Sequence, residues 1–187
     1  ITAAAGAGGI AQIALPGGWP GVAIGAVLAW PMLAARSLYD HAAAVAEPLA
    51  RNDIALARIE IAKIVGRDPA TLDAPAIARA ALESLSENTS DGVIAPLFWG
   101  LLLGLPGLYA YKAINTLDSM IGHRNARYEQ FGWAAARIDD GANLAPARLT
   151  GLLYCLSAFS REAVRIMLRD ARKHRSPNAG WPESAMA

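Results

Sequence analysis

Residues 92–111 of this chain read GVIAPLFWGLLLGLPGLYAY, twenty consecutive residues without a charged side chain. About 20 apolar residues in a helix are enough to cross the hydrocarbon core of a bilayer. Pro96, Gly104, Pro106 and Gly107 interrupt the stretch, and helices kink or end at such residues. Two geometries are therefore open. A single span would separate the polar regions on either side of it, whereas a re-entrant hairpin turning at residues 104–107 would bring them together.

The composition as a whole also favours a membrane environment. The chain of 187 residues is 54% hydrophobic, and its mean hydropathy of +0.27 exceeds that of an ordinary soluble domain. Residues 1–35 carry no charged side chain, and the turn-forming residues 16–20 predict two apolar pieces around a turn. A signal peptide is the competing interpretation, but the chain has no charged start, and Arg36 rather than a small-residue cleavage site follows the apolar run. Because the sequence begins at Ile1, we expect the natural start to precede it.

Charge and cysteine content exclude several classes of function. The net charge of +1, from 17 basic and 16 acidic residues, implies no bulk attraction to nucleic acid. The single Cys155 lies in an apolar segment and is expected to be a small buried hydrophobe rather than part of a disulfide or metal site. His41, His123 and His174 show no spacing typical of zinc ligands. No glycine loop of the Walker type is present.

We predict an all-α fold: one polytopic helical membrane domain over residues 1–187, with amphipathic helices and the open possibility of a re-entrant one. Lysines and arginines are spread evenly, with six in 36–91, five in 112–148 and six in 161–175, so the positive-inside rule does not decide the orientation. The predicted segments are an apolar membrane segment at 1–35, amphipathic helices with a first polar motif at 36–91, the apolar broken segment at 92–111, a second polar motif at 112–148, and an apolar and basic helix with an ordered tail loop at 149–187.

Local patterns predict helix boundaries and one surface helix. Ile54, Ala57, Ile61 and Ile64 recur at helical spacing, with Gly66 as the expected C-cap. Asp68-Pro69 predicts a turn, and Asp73 before Ala74-Pro75 predicts an N-cap and first turn. Arginines 161, 165, 169 and 172 alternate with apolar residues as a basic amphipathic helix, which suits either a membrane surface or a solvated helix end.

The first polar motif, ESLSENTSDG at residues 83–92, places three carboxylates on one helical face. Glu83, Glu87 and Asp91 are spaced at i, i+4 and i+8. Like charges at this spacing repel, so a divalent cation, a substrate amine or facing arginines should offset them. A solvent-exposed acidic face is the alternative.

The second polar motif lies within residues 111–149 and contains two groups of polar side chains. Adjacent acids point in different directions on a helix, so only one of Asp139 and Asp140 is expected to face a ligand unless the chain turns at Gly141. Polar residues between apolar helices are costly and indicate function. The groups are Asn115, Thr116, Asp118 and Ser119 in one case and Arg137, Asp139, Asp140, Asn143 and Arg148 in the other.

Four separated stretches resemble the adenosylcobinamide-phosphate synthase family of cobalamin biosynthesis. They are SENTSDGVIAPLFW at 86–99, YKAINTLDSMIGHRN at 111–125, RYEQFGWAAARIDDGANLAPARLTGLL at 127–153 and SPNAGWPESAMA at 176–187, and IVGRD at 64–68 is also similar. The resemblance covers about His41 to the last residue. The family usually opens with a further apolar segment and continues into a glycine-rich end, so we expect a partial sequence.

The resemblance implies an integral enzyme of the inner membrane, multi-pass, with its active site on the cytoplasmic side. It would join aminopropanol or its phosphate to the propionate carboxyl of adenosylcobyric acid, with ATP and Mg²⁺ as cofactors and the corrinoid as substrate. Other cobalamin-pathway enzymes or a second copy are the conceivable protein partners, beside the lipid bilayer. Glu87, Asp91, Asp118 and Asp140 are the candidate magnesium ligands; Lys112, Arg137 and Arg148 the candidate phosphate ligands; and Asn88, Asn115, Ser119 and Asn143 the candidates for orienting substrate. Glu87, Asp91, Arg137 and Asp140 are expected to be catalytic.

Two other functions fit the same residues. A non-catalytic corrinoid-binding membrane scaffold would need the same polar pocket. A transporter with broken helices and polar residues at mid-membrane is suggested by the interruption at residues 104–107.

Overall fold

The computed structural model describes residues 1–66, 68–122 and 129–187, and all regular structure in these ranges is helical. The prediction of an all-α fold is confirmed. The sequence stretches at Arg67 and 123–128, with His123, lie outside the described residues. The α-helices are α1 (Thr2–Ala14), α2 (Trp19–Ala29), α3 (Ala35–Ala50), α4 (Ile54–Ile61), α5 (Ala74–Thr89), α6 (Ala95–Leu117), α7 (Glu129–Ser157), α8 (Arg161–Asp170) and α9 (Gly180–Met186), with π-helical turns at Ser90–Ile94 and Asp118–Gly122.

Helix α6 is a helical hairpin that reverses at Gly104. This residue has φ 67° and ψ −155°, a conformation open essentially only to glycine. The hydroxyl of Tyr111 lies 3.2 Å from the carbonyl oxygen of Asp91, although twenty residues of straight helix would separate them by about 30 Å. The hairpin is therefore the correct one of the two geometries, and the straight span is wrong.

The two arms of the hairpin pack closely against each other, and the first arm is short. A side chain at Gly107 would overlap the carbonyl of Trp99 and the side chain of Leu103. The first arm, residues 92–104, is about 20 Å long at 1.5 Å per residue, which is less than the roughly 30 Å of a hydrocarbon core. The first arm is therefore too short to cross the hydrocarbon core.

Helices α1 and α2 form a second apolar hairpin beside the first. Gly8 of α1 packs on the backbone of Leu105 and Pro106, and the side chain of Gln12 accepts a hydrogen bond of 2.8 Å from the Leu105 amide at the break. After the turn, the chain returns to the open end of the α6 hairpin, where the Ala34 amide donates to the Gly92 carbonyl at 2.9 Å. The expected two apolar pieces around a turn are confirmed.

Many apolar side chains of these hairpins face outward. Leu101 is 87% exposed, and Ile13 and Trp19 are almost equally so. The stretches Trp19–Ala50 and Ala74–Gly122 are long and apolar enough to cross a membrane by length and composition, although the second contains the reversal at Gly104. An apolar surface of this extent is unfavourable in water and suits contact with lipid.

Helices α3, α4 and α5 form a separate small core around Val45, Ala57, Ile61 and Ile77. The predicted C-cap at Gly66 is wrong, because α4 ends at Ile61. The following loop is instead held on α5, where the Ser84 hydroxyl donates to the Ile64 carbonyl at 3.0 Å.

The start of α5 agrees with its prediction. The Asp68 side chain accepts from the Ala70 amide, which forms the predicted turn. Asp73 caps α5 by accepting from the Ala76 amide at 2.9 Å, with proline in the first helical turn.

Helices α7, α8 and α9 pack around another hydrophobic core, which contains Cys155, Met167 and Ala185. Cys155 is buried, as predicted. The tail is not a loop as predicted, since residues 180–186 form α9. Pro182 is compatible with this helix because it lies in the first turn, where no intrahelical amide donor is needed.

Candidate active site

Each predicted polar motif includes a π-helical turn at one end of the α6 hairpin. Ser90–Ile94 begins the first arm and Asp118–Gly122 follows the second. Turns of this kind are rare and are common at functional sites. Because the hairpin reverses at Gly104, Asp91 and Asp118 are brought to the same open end.

Five carboxylates line one cavity of about 120 Å³ at this open end. Glu87, Asp91 and Asp118 come from the hairpin side, and Asp139 and Asp140 come from α7. All four predicted magnesium ligands are among them. The remaining wall is formed by Ser90, Asn143, Ser176, Asn178, Ala179 and Pro182.

A buried hydrogen-bond chain joins the two sides of this acidic pocket. The Tyr111 hydroxyl lies 2.8 Å from Oδ1 of Asn143, and Nδ2 of Asn143 donates to Oδ2 of Asp139 at 2.9 Å. Asn143 is only 1% exposed. Asn143 therefore holds Asp139 in place. Its predicted role in orienting substrate stays a prediction.

Asp139 and Asp140 both reach the pocket, so the expectation that only one would do so is wrong. No turn occurs at Gly141, because α7 continues through it. Asp139 lies beside Asn143 and Asp140 lies beside Asn178 of the tail, and the cavity is bordered by both. Burial, together with the nearby charge of Asp118, raises the pKa of Asp139 to about 6, although the hydrogen bond from Asn143 acts in the opposite direction.

Several polar atoms in the pocket wall lack a hydrogen-bond partner among the described residues. They are Oγ of Ser90, Oδ1 of Asp139 and Oδ1 of Asn178, and Ser90 and Asn178 are 2% and 8% exposed. An unsatisfied buried polar atom typically costs about 1–3 kcal/mol. Three such atoms around one small cavity are available for bonds with water, an ion or a ligand.

Carboxylate oxygens of the kind that line the pocket are donors that magnesium takes in proteins. Within the described ranges, no group of three His, Cys, Asp or Glu side chains is arranged to hold a metal ion alone. Magnesium commonly uses one or two carboxylates, keeps several waters and takes further oxygens from substrate phosphates. The pocket offers carboxylates of this kind without forming a cage made only of protein.

The predicted phosphate ligands do not line the acidic pocket. Arg137 is largely exposed and lies 3.7 Å from Asp140. Arg148 stacks on the ring of Trp181 at 4.7 Å. Lys112 is half-buried on α6. Their proposed contacts with phosphate remain predictions.

The predicted orienting residues are divided between two places. Asn115 lies beside Asp139 and lowers its pKa. Ser119 is exposed and donates to the Asn115 carbonyl. Asn88 lies away from the acidic pocket and donates to the carbonyl and hydroxyl of Ser84.

The contribution of the tail was missed in the sequence. Nδ2 of Asn178 donates to the Asp140 carbonyl at 2.8 Å, and Ser176 completes the wall. The only sequence signal for this role was that residues 176–187 form one of the stretches with a family resemblance.

Two larger cavities continue from the acidic pocket along α5, and we call the three together the trough. The middle cavity, of about 340 Å³, shares Glu87 with the acidic pocket and also contains Glu83. The outer cavity, of about 450 Å³, extends to Lys63 and His41. The middle and outer cavities have four wall residues in common, Ile64, Val65, Ser84 and Asn88.

Comparison with known proteins places these features in a family. The model of the CobD/Cbib protein family matches residues 1–187. The chain belongs to the CobD/Cbib family. Among curated CobD/Cbib relatives, a cobalamin biosynthesis protein CobD of Rhodobacter capsulatus is 66% identical over 94% of this chain and 56% of its own length. The protein of the same name from Geobacter metallireducens is 53% identical over 100% of this chain and 60% of its own length.

The matched region is only part of these CobD/Cbib proteins. A cobalamin biosynthesis protein CobD of Brucella suis is 54% identical over 91% of this chain, and the match covers 54% of the Brucella protein's own length. The chain thus spans little more than half the length of the curated relatives that it matches. No solved structure matches it.

Proposed function

We propose that this chain carries the acidic reaction centre of a membrane-bound ligase in cobalamin biosynthesis. The reaction would join aminopropanol or its phosphate to the propionate carboxyl of adenosylcobyric acid as an amide, with ATP and magnesium. The observation that carries the proposal is the meeting of five carboxylates, from both polar motifs, in one cavity beside the larger ones of the trough. The names of the relatives supply the pathway, and the family resemblance supplies the reaction.

A carboxylate is a poor acylating agent, so the propionate must be activated before the amine can react with it. Transfer of the terminal phosphoryl group of ATP to a propionate oxygen breaks a phosphorus–oxygen bond, releases ADP and gives an acyl phosphate. The amine nitrogen then attacks the acyl carbon, the bond from this carbon to the phosphate oxygen breaks, and inorganic phosphate leaves. The nitrogen loses its proton to a carboxylate of the pocket. Such reactions depend mainly on positioning and electrostatic stabilisation, so no serine or cysteine nucleophile is needed.

The residues of the pocket divide these tasks. Glu87, Asp91, Asp118 and Asp140 would hold magnesium, which when bound would offset the repulsion between phosphates and carboxylates. Asn143 holds Asp139 in place through its hydrogen bond. Asn178 attaches the tail to α7 and presents its Oδ1 to the cavity.

Placement in the membrane is part of the same proposal. We propose a multi-pass protein of the inner membrane with the acidic pocket on the cytoplasmic side, where ATP is present. The outward-facing apolar side chains of both hairpins support contact with lipid.

Reconstitution of the full-length protein tests the proposal. Purified protein with adenosylcobyric acid, aminopropanol phosphate and Mg-ATP should form the amide, as detected by mass spectrometry. Asp91→Asn and Asp140→Asn should abolish the product without affecting membrane insertion. Asp40→Asn is the matched control, because Asp40 is an exposed acid on α3 that pairs with Arg36. Corrinoid binding without any turnover would instead identify a scaffold, and substrate flux in proteoliposomes without product would identify a transporter.

A further inference from the structure

The corner between α7 and α8 holds a phenylalanine outside the protein. Phe159 is 95% exposed and has a φ of 48°, a left-handed conformation that is uncommon for a bulky residue. The corner around it is well fixed. The Phe159 amide donates to the Leu156 carbonyl at 3.1 Å, and the Ser160 hydroxyl caps α8 by accepting from the Ala163 amide at 3.1 Å. Because burial of a phenylalanine is favourable, a corner that holds Phe159 outward in this conformation indicates an apolar environment there.

Two exposed leucines extend the apolar surface at this corner. Cys155 of α7 and Met167 of α8 touch inside the core, with 4.0 Å between their sulfur atoms. Each is followed in the chain by a leucine that is mostly exposed, Leu156 on α7 and Leu168 on α8. Phe159 and these two leucines therefore give the meeting point of the two helices an apolar edge.

Arginines surround Leu168 on the outer side of α8, and we call this side the basic face. Its four residues are spaced at i, i+4, i+7 and i+11, which places them along one side of a helix. They are Arg161, Arg165, Leu168 and Arg172, and all are exposed. Met167, by contrast, is buried on the side that packs against α7. The basic face thus presents an apolar group and several guanidinium groups in the same direction.

The acidic residues of α8 do not lie on the basic face. Glu162 and Asp170 are turned away from Leu168 by the helical spacing, and both form exposed ion pairs with neighbouring basic side chains, which contribute little to stability. Arg161 and Arg172 form no ion pair with any residue that the structure describes. Residues 161–175 contain six basic and two acidic side chains, a net charge of +4. The basic face is therefore complementary to an anionic surface.

We propose that the basic face binds anionic phospholipid headgroups, with α8 lying along the surface of the bilayer. Helices that combine arginines with phenylalanine and leucine in this way are typical of the membrane interface. The apolar stems of the arginines lie on the hydrocarbon boundary while their guanidinium groups stay among the headgroups, where they bind phosphate through paired hydrogen bonds. Phe159 and Leu168 enter the bilayer beneath them.

The end of α8 connects this surface to the acidic pocket. A side chain at Gly180 would overlap the carbonyl of Ala171, so the start of α9 packs directly on the end of α8. The same tail supplies Asn178 and Pro182 to the pocket wall. The basic face and the acidic pocket therefore belong to the same side of the membrane, and the cytoplasmic leaflet proposed for the pocket carries the anionic lipids. This inference rests on the proposed membrane placement but not on the proposed reaction.

Lipid quenching of a fluorescent probe on α8 tests the proposal. Full-length protein without its native cysteines carries Leu168→Cys with an environment-sensitive fluorophore, in nanodiscs of phosphatidylcholine with or without phosphatidylglycerol. A nitroxide attached to the lipid near the headgroup should quench the probe, and the quenching should be stronger with phosphatidylglycerol. Glu162→Cys is the matched control, because residue 162 lies on the same helix but away from Leu168. Its probe should stay unquenched in both kinds of nanodisc.

Loss of the two unpaired arginines separates headgroup binding from simple apolar contact. The double variant Arg161→Gln and Arg172→Gln should reduce the quenching with phosphatidylglycerol to the level seen without it. Each basic residue near an anionic surface contributes a factor of about five, so two should change the ratio of bound to free α8 by more than about tenfold. Arg51→Gln and Arg79→Gln remove the same charge from exposed positions on other parts of the protein and should leave the quenching unchanged.

The remaining outcomes overturn the proposal in different ways. Equal quenching of the probes at residues 168 and 162 would mean that α8 does not lie on the bilayer. Quenching at residue 168 that depends neither on phosphatidylglycerol nor on the arginines would show apolar contact without recognition of headgroups. A probe that is shielded from water but not quenched by lipid would mean that protein covers this face. Failure of the protein to enter nanodiscs would contradict the membrane placement, whereas normal quenching without amide formation would contradict only the ligase.

Discussion

The hydroxyl of Tyr111 donates to the backbone carbonyl of Asp91, 3.2 Å away and twenty residues earlier in the chain. The same hydroxyl lies 2.8 Å from Oδ1 of Asn143 on α7. One buried side chain therefore ties together both arms of the α6 hairpin and the helix that carries Asp139 and Asp140. This connection explains how two polar motifs that are distant in sequence form one pocket.

Tyr111→Phe should lower stability and weaken the pocket while preserving the fold. The hydroxyl has one proton to donate, so the change leaves one buried acceptor without a donor, which typically costs about 1–3 kcal/mol. The midpoint of thermal unfolding in detergent should fall, and the magnesium concentration needed for half-maximal activity should rise. Tyr39→Phe is the matched control because Tyr39 is largely exposed. Equal behaviour of the two variants would show that the Tyr111 bonds do not stabilise the pocket.

Gly104→Ala should disrupt the hairpin. The positive φ at this position is strained for any residue with a side chain, at about 1–3 kcal/mol, and a methyl group would also overlap the amide of Gln12. Thermal unfolding of the purified protein should show a clear loss of stability. Gly6→Ala, at a helical position with no heavy atom within 4 Å of a Cβ, should be neutral or slightly stabilising. A tolerated Gly104→Ala would contradict the geometry at the reversal.

Cysteine labelling should place the two ends of the hairpin on the same membrane face. In a Cys155→Ala background, Arg79→Cys and Thr116→Cys introduce exposed thiols before and after the hairpin. A membrane-impermeant maleimide applied to oriented vesicles should react with both variants from one side and with neither from the other. Reaction from opposite sides would mean that the segment crosses the bilayer, and the single-pocket arrangement would then be wrong.

Gly122→Ala should reproduce the effect of altering Asp118. A methyl group at residue 122 would overlap the carboxylate of Asp118, and displacing a group at a metal site typically costs 10- to 100-fold in metal affinity or activity. Activity measured against magnesium concentration should show a comparable rightward shift for Gly122→Ala and Asp118→Asn. Gly141→Ala is the control, because its surroundings on α7 are open. A normal magnesium requirement in Gly122→Ala would remove Asp118 from the metal site.

Sequence patterns predicted the helical class, the interruption at residues 104–107 and the cap at Asp73, and they named the four candidate metal residues that line the pocket. Local chemistry determines these features, since proline, glycine and capping side chains act over a few residues. The choice between a span and a hairpin was not predictable, because the reversal is held by contacts between residues far apart in sequence, such as the bond between Gln12 and Leu105. The even spread of basic residues gave no help, as expected when the segments before and after a hairpin share one face.

Other features could not be inferred because they depend on tertiary packing. Arg148 was predicted to bind phosphate, but the structure stacks it on Trp181, thirty-three residues away. Asp139 joins the pocket because α7 packs on α6 and on both π-helical turns, and Asn178 joins it through its bond to the Asp140 carbonyl on α7. The loop after α4 is held by the bond from the Ser84 hydroxyl to the Ile64 carbonyl, a contact across twenty residues that no local pattern reveals.

The shallow reversal at Gly104 also bears on how the protein is made. A hairpin enters the bilayer tip first, and its tip consists of leucines, glycines and a proline, so neither Asp91 nor Asp118 has to be carried through hydrocarbon, where translocating an aspartate is costly. The carboxylates of the pocket can therefore remain hydrated from synthesis onwards. Assembly of the acidic centre then needs only the lateral approach of α7 and α9 to a hairpin already anchored in the membrane.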